Sequence, residues 1–340
     1  MWMLGGGDQS AVKAFRSGEE AAFVELVKRH RRELHVHCYR MSGSLEDAED
    51  LVQETLLRAW RARGHFEGRA SFRAWLYRIA TNACLDLLAR RPPRVLPPDV
   101  VGAADPALQP PASTDAPWLE PYPGRLLEAL VSEEDPGASV EDRETIELAF
   151  LAAIQHLPPR RRAVIILRDV LDFSAKESAA VLSMSVASVN STLQRARRAL
   201  AERLAPRRVD WERPREASTE ERALLRLYMQ AHECGDVEAL AALLREDARI
   251  SAPPRPLWYD GREAVLAATR RLVAADRFRY VATSANRQPA AASYLRIDGE
   301  EIFRPMGIDV LRIEDGLVAE VTVFLRPDLF EVFGLPPSLR

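Results

Sequence analysis

Ten of the 32 residues from Pro92 to Pro123 are proline. Proline has no backbone N–H and a fixed φ, so this stretch can neither continue a helix nor run through the middle of a sheet. Residues 94–140 also carry eight acids against Arg94 and Arg125, a net charge of −6. An extended acidic linker over residues 92–139 is therefore expected, with separately folded segments before and after it. The chain of 340 residues is long enough for this, at roughly 100 to 200 residues per domain. Within the linker, PWLEPYP (Pro117–Pro123) is too apolar for a spacer. Trp118, Leu119 and Tyr122 form either a small cluster under a loop or a docking motif for another domain of the chain.

The segment before the linker, residues 11–91, reads as all helix. Gly18 separates a short helix from a longer one ending near Tyr39, and Met41–Leu45 reads as a turn. In the next helix Ala48, Leu51, Val52, Thr55, Ala59 and Trp60 make a buried stripe, and Glu46, Asp50, Gln53 and Glu54 share an acidic face. After a loop at His65–Ala70, Ser71 can cap a further helix whose buried side is Phe72, Trp75, Leu76, Ile79, Ala80, Ala83 and Leu87. Its other side offers Arg69, Arg73, Tyr77, Arg78, Thr81, Asn82, Asp86, Arg90 and Arg91. Cations track phosphates, rings stack on bases and amides read unpaired edges, so this side suits a separated nucleic-acid strand. His35, His37 and Cys38 point to different sides of a helix and make no ligand set.

Residues 140–205 form a second helical unit. Glu144–His156 and Arg160–Leu171 flank a Pro158-Pro159 break. Ser174–Leu182, the turn Ser183-Met184-Ser185 and Val186–Leu204 then have helix-turn-helix spacing. Val189, Leu193, Ala196 and Leu200 face inward. Ser185, Ser188, Asn190, Ser191, Gln194, Arg195, Arg197 and Arg198 are left outside, where short polar groups can approach base edges and arginines can hold phosphates. Residues 186–209 sum to +5, although the whole chain carries only −3.

Past a connector at 206–218, residues 219–336 read as α+β. Helices are expected at Glu220–Cys234, Val237–Leu244 (capped by Asp236) and Arg262–Ala274. They precede an antiparallel meander of Phe278–Ala285, Ala290–Ile297, Gly307–Ile313 and Leu317–Leu325. His232, Asp247, Tyr259 and Asp260 are candidates for cavity chemistry by residue type, without a diagnostic acid–base spacing.

DAEDLVQET followed by FRAWLYRIATNACLDLLARR resembles region 2 of sigma factors of bacterial RNA polymerase, in the extracytoplasmic-function group of the sigma-70 class. The resemblance implies that Asp47, Asp50, Gln53 and Glu54 bind core polymerase. It also implies that Phe66, Arg69, Phe72, Arg73, Tyr77, Arg78 and Asn82 read and open the minus-ten element, with Asn82 and the Phe66–Phe72 loop holding a flipped base. The helix-turn-helix resembles region 4, which implies minus-thirty-five contacts by Ser185, Ser188, Ser191, Gln194, Arg195, Arg197 and Arg198. It departs from that pattern in having Ser183 where glycine is common and Asn190 and Thr192 where basic residues are frequent.

DARISAPP, WYDGREAV and the closing hairpin are similar to the SnoaL-like cone fold, which implies a regulatory domain with a small-molecule ligand as a candidate partner. The expected architecture is thus two all-α sigma domains joined by a Pro-rich linker, then an α+β cone domain acting in cis. The expected partners are core polymerase and promoter DNA, with no membrane, no metal, no cofactor and no catalysis. A one-component helix-turn-helix regulator that responds to a ligand without polymerase is the alternative. Three scattered cysteines and the absence of a signal-like start or an apolar stretch of membrane length fit a cytoplasmic protein.

Overall fold

The computed structural model describes residues 6–66, 71–108, 114–128, 146–204, 217–272, 276–297 and 299–340. They fall into two compact units. The first holds the described residues up to Pro93 and from Ala149 to Leu204; the second holds Arg94–Glu128, Ile146–Leu148 and everything from Ala217 onward.

The first unit is helical throughout. It opens with α1 (Gly6–Arg16), α2 (Glu20–Ser42), α3 (Leu45–Ala62) and α4 (Phe72–Leu88). The expected turn after α2 is shorter than the sequence suggests. α2 runs to Ser42, Gly43 ends it at φ 75°, and Ser44 already caps α3 by accepting from Asp47 N at 3.3 Å. Ser71 caps α4 in the same way, 3.1 Å from Ala74 N. Phe15 on α1 is the hub of an aromatic core, stacked on Phe23 at 5.3 Å and edge-on to Phe72 at 5.4 Å. Phe66 joins it through Trp75 at 5.1 Å. Each such ring contributes on the order of 2 to 3 kcal/mol by burial.

After α5 (Gly124–Glu128), which belongs to the second unit, come α6 (Leu148–Gln155), α7 (Pro159–Ile165), α8 (Ala175–Leu182) and α9 (Val186–Arg203). α7 continues as a π-type turn over Ile166–Val170. The buried Arg162 guanidinium donates to Met41 O, to Gln155 Oε1 at 2.5 Å and to Gln155 O at 2.6 Å, tying α7 to the end of α2.

The second unit contains α10 (Thr219–Cys234), α11 (Val237–Leu243), β1 (Leu244–Ser251), β2 (Trp258–Asp260), α12 (Arg262–Arg270), β3 (Phe278–Ala285), β4 (Gln288–Arg296), β5 (Phe303–Glu314), β6 (Leu317–Phe324) and α13 (Leu329–Phe333). The sheet order is β2-β1-β6-β5-β4-β3. The four expected strands form the antiparallel meander β3-β4-β5-β6, and the structure adds β1 and β2 at its edge, where β1 pairs parallel with β6 and makes the sheet mixed. In LREDARIS the adjacent exposed acids Glu246 and Asp247 break the alternation that marks a strand, and β2 spans only three residues, so neither is legible as a strand along the chain. The apolar faces of α10–α12 close over the sheet through Leu224, Tyr228, Leu240, Val265, Leu266, Leu311 and Val321.

The linker is not a free spacer. Val95 and Trp118 bridge in parallel, and the Trp258 indole donates to Val101 O at 2.8 Å while Ala104 N donates to Trp258 O at 2.8 Å. Trp118, Leu119 and Tyr122 are all buried. Asn286, at φ 55° in the β3–β4 turn, accepts from Tyr122 N at 2.9 Å, returns its own N–H to Tyr122 O at 2.8 Å, and donates Nδ2 to Ile146 O at 2.8 Å. Gly124 approaches Ser284 so closely that a Cβ there would stand 1.7 Å from Ser284 Oγ.

Candidate nucleic-acid interface

The outer side of α4 presents Arg78 and Asn82 one turn apart, both exposed, as the sequence places them. Other residues assigned to that side are corrected. Tyr77 and Thr81 are fully buried, because α4 packs against α2 along a second stripe: His37 Nε2 lies 3.0 Å from Thr81 Oγ1, and the His37 and Tyr77 rings meet at 5.0 Å. Arg73 is half-buried. Phe66 and Phe72 are in the aromatic core rather than in solvent, and Arg69 lies outside the described residues.

Glu33 of α2, which the sequence did not single out, organises this side. Its carboxylate accepts Arg73 Nε at 2.7 Å and the Tyr77 hydroxyl at 3.2 Å, and it meets His30 Nδ1 at 2.5 Å. Burial pushes the Glu33 carboxyl up, but the hydrogen bonds and charges of His30 and Arg73 outweigh it and hold it below the usual range. His37 is pushed down to about 3 by burial and then by the charge of Arg40, so it is neutral here.

On α3, Glu46, Asp50 and Gln53 are exposed. Glu54 is half-buried and holds Arg58 Nε at 2.7 Å, and Arg58 also reaches Asp86 at 3.0 Å. Asp47 does not share that face: it is buried and accepts from Arg91 just beyond α4. Of the four residues assigned to core polymerase, Asp50, Gln53 and Glu54 lie outward on α3 beside Glu46, and Asp47 does not.

In the helix-turn-helix, Ser174 and Glu177 cap α8 reciprocally, Ser183 turns the chain at φ 53°, and Ser185 caps α9 from Ser188 N at 3.1 Å. Serine takes the left-handed position usually left to glycine, so the departure changes the residue and keeps the turn. Ser191, Gln194, Arg195, Arg197 and Arg198 are exposed, Ser188 half-buried, and Thr192 buried in the core. Arg197 is held fork-to-fork by Asp169 at 2.9 and 2.6 Å, and Arg198 pairs with Glu202 at 3.2 Å.

The candidate cone residues do not converge. Asp247 pairs with Arg245 and Asp260 with Arg249 at the surface, each at 2.9 or 2.8 Å, whereas His232 is buried with Nδ1 2.9 Å from Tyr228 O. Asp309 on β5, which the sequence did not single out, is buried and accepts from the Tyr228 hydroxyl at 2.9 Å.

Family models match three segments: Sigma-70 region 2 at residues 26–92, Sigma-70 region 4 at 147–200, and a SnoaL-like domain at 225–321. Over 339 residues the chain is 41% identical to the ECF RNA polymerase sigma factor SigG of Mycobacterium tuberculosis, covering 97% of this chain and 90% of that protein. The chain belongs to the ECF RNA polymerase sigma factors. This sigma factor is also 30% identical over 194 residues to SigW of Bacillus subtilis, which spans 57% of the present chain and 94% of SigW. SigW thus lacks a counterpart to much of the remainder. The crystal structure of the extracytoplasmic function sigma factor SigJ of Mycobacterium tuberculosis shares the fold, with TM-score 0.58 at 23% identity over 92% of this chain and 99% of that one.

As an ECF sigma factor the protein directs promoter-specific transcription initiation by bacterial RNA polymerase, and its partners are core polymerase and promoter DNA. Nothing in these likenesses favours the ligand-responsive regulator that acts without polymerase. Among the described residues no helix is long and apolar enough to cross a membrane.

Proposed function

We propose that the outward residues of α3 (Asp50, Gln53 and Glu54) dock on core polymerase, with Asp47 setting the start of that helix. Arg78 and Asn82 hold the opened minus-ten strand, and the exposed side of α9 reads the minus-thirty-five duplex. The SnoaL-like domain then regulates in cis by holding the linker. The observation that carries this last step is the pair of reciprocal hydrogen bonds between Tyr122 and Asn286, with Glu120 paired to Arg326 at 3.3 Å nearby. By the sigma-factor resemblance the acidic linker would thread the polymerase cleft, which a linker bound to the cone domain cannot do, so release of Trp118–Tyr122 becomes a step of initiation. A small molecule bound in the cone domain would act on the same step.

Run-off transcription with purified core polymerase tests the cis reading: deleting residues 210–340 should change the yield at matched concentrations, and an unchanged yield rules it out. Retention of Asp50→Arg on core polymerase, compared with wild type, tests the α3 assignment separately; equal retention argues against it.

A further inference from the structure

The loop leading into the helix-turn-helix ends on α4. After the π-type turn, Asp172 adopts φ 51°, a conformation that Asp tolerates better than most residues. Phe173 N then donates to Leu167 O at 2.8 Å, and Arg168 donates to Phe173 O, fixing the backbone on both sides. The Phe173 ring is edge-on to Tyr77 at 5.3 Å. The Arg73 guanidinium carbon lies 5.3 Å from the Phe173 ring centre and 5.0 Å from that of Tyr77. Phe173 is 5% exposed and Tyr77 0%.

An arginine lying over a planar ring is one of the contacts by which proteins hold unstacked bases, and Tyr77, which meets Phe173 edge-on, supplies a second ring at the same place. We propose that Phe173 is an internal substitute for an unpaired promoter base, so that the helix-turn-helix and the opened strand compete for Arg73 and Tyr77. The proposal rests on the reading that α4 holds the separated strand. Glu33 suits the exchange, since its bonds to Arg73 and Tyr77 keep both oriented whichever ring is present.

Promoter geometry makes the exchange obligatory. The two elements are separated by about two turns of duplex, on the order of 70 Å. Phe173 is adjacent to Ser174, the cap of the first helix-turn-helix helix, and so travels with the minus-thirty-five reader. When α4 and α9 occupy their own elements, Phe173 has left Tyr77 and the vacated face is open to a base.

The test uses the full chain and a fluorescein-labelled single strand of random sequence, followed by anisotropy without polymerase. Phe173→Ala should bind the strand roughly three- to tenfold more tightly than wild type, the range of a lost aromatic contact. Phe173→Tyr, which keeps a ring, should bind as wild type does. Adding Arg73→Ala to Phe173→Ala should remove the gain. If Phe173→Ala binds as wild type while Arg73→Ala weakens binding, the substitution of ring for base is wrong and the strand-holding reading survives. If Arg73→Ala changes nothing in either background, the strand-holding reading itself fails. Hydrogen exchange on the wild-type chain gives an answer that needs no variant: a saturating strand should speed exchange across Asp172–Glu177, and unchanged protection overturns the proposal.

Discussion

Asn286 and Tyr122 exchange two hydrogen bonds across 164 positions of sequence: Tyr122 N donates to the side-chain Oδ1 of Asn286 at 2.9 Å, and Asn286 N donates to Tyr122 O at 2.8 Å. Asn286 is fully buried, and its Nδ2 donates to Ile146 O at 2.8 Å, so one side chain fastens the chain on both flanks of residues 129–145. Asn286→Ala should cost the linker attachment about 2 to 3 kcal/mol, since it strands buried polar groups and places alanine at positive φ. Gly124→Ala should loosen the same attachment without touching Asn286, because its Cβ would collide with Ser284. Limited proteolysis reads both: faster cleavage between Arg94 and Arg125 is expected in each variant, with the remainder of the second unit intact.

In α9 the arginines are not equally available. Arg197 is committed to Asp169, whose side chain is 5% exposed, and the hydrogen bonds and charge of that carboxylate push the Arg197 guanidinium up. Arg195 Nε donates to Ser191 O at 3.3 Å, and among the described residues no carboxylate pairs with it. Arg195→Ala should therefore lower duplex affinity and flatten its salt dependence by about one unit of logarithmic slope, while Arg197→Ala should do less. Asp169→Asn should free Arg197 and steepen the slope by a similar amount. Anisotropy titrations on promoter duplex across a salt series separate the three.

Much of this arrangement could be read along the chain. Ser71 and Asp236 as caps, the three-residue turn at Ser183–Ser185 and the order of helices and hairpins all follow from local rules, and local rules act within a few residues. What escaped the sequence lies between distant residues. A helical wheel gives α4 one buried stripe, but α4 is packed on two sides, which is why Tyr77 and Thr81 turned out to be inside. Glu33, Phe173, Asn286 and Asp309 each take their meaning from a partner 40 or more residues away. Asn286 falls in the gap between two expected strands, but its grip on Tyr122 is not legible there. Asp309 reads as one residue in an apolar strand, and only the pairing of β4 with β5 shows which way it points.

Asp309 gives the second unit a pH dependence of definite sign. Burial pushes its carboxyl up to about 7, against the hydrogen bonds of Tyr228 and Ser293, which pull the other way. In the unfolded chain the group titrates near 4, so its contribution is complete below that pH. Between about 4 and 7 the unfolded chain releases a proton that the folded one retains, and stability falls as pH rises, by on the order of 4 kcal/mol at most. Asp309→Asn should remove this slope: thermal melts of the variant and wild type should be nearest at pH 4 and separate progressively up to pH 8 in favour of the variant. Parallel curves would show that the carboxyl is not buried as described.

Arg162 supplies the corresponding point in the first unit. Burial pushes its guanidinium down to about 10, yet it remains charged at neutral pH and satisfies Met41 O, Gln155 Oε1, Gln155 O and Leu157 O together. These acceptors sit at the end of α2 and the end of α6, where helical carbonyls have no partner of their own. Arg162→Met keeps the volume and removes every donor, so it should destabilise the first unit by about 3 kcal/mol or more. Arg162→Lys should recover little, because an ammonium cannot reproduce a planar fork aimed at four oxygens. Urea unfolding followed by the fluorescence of Trp60 and Trp75 checks both variants, and a lysine variant as stable as wild type would show that charge, rather than fork geometry, joins α7 to α2.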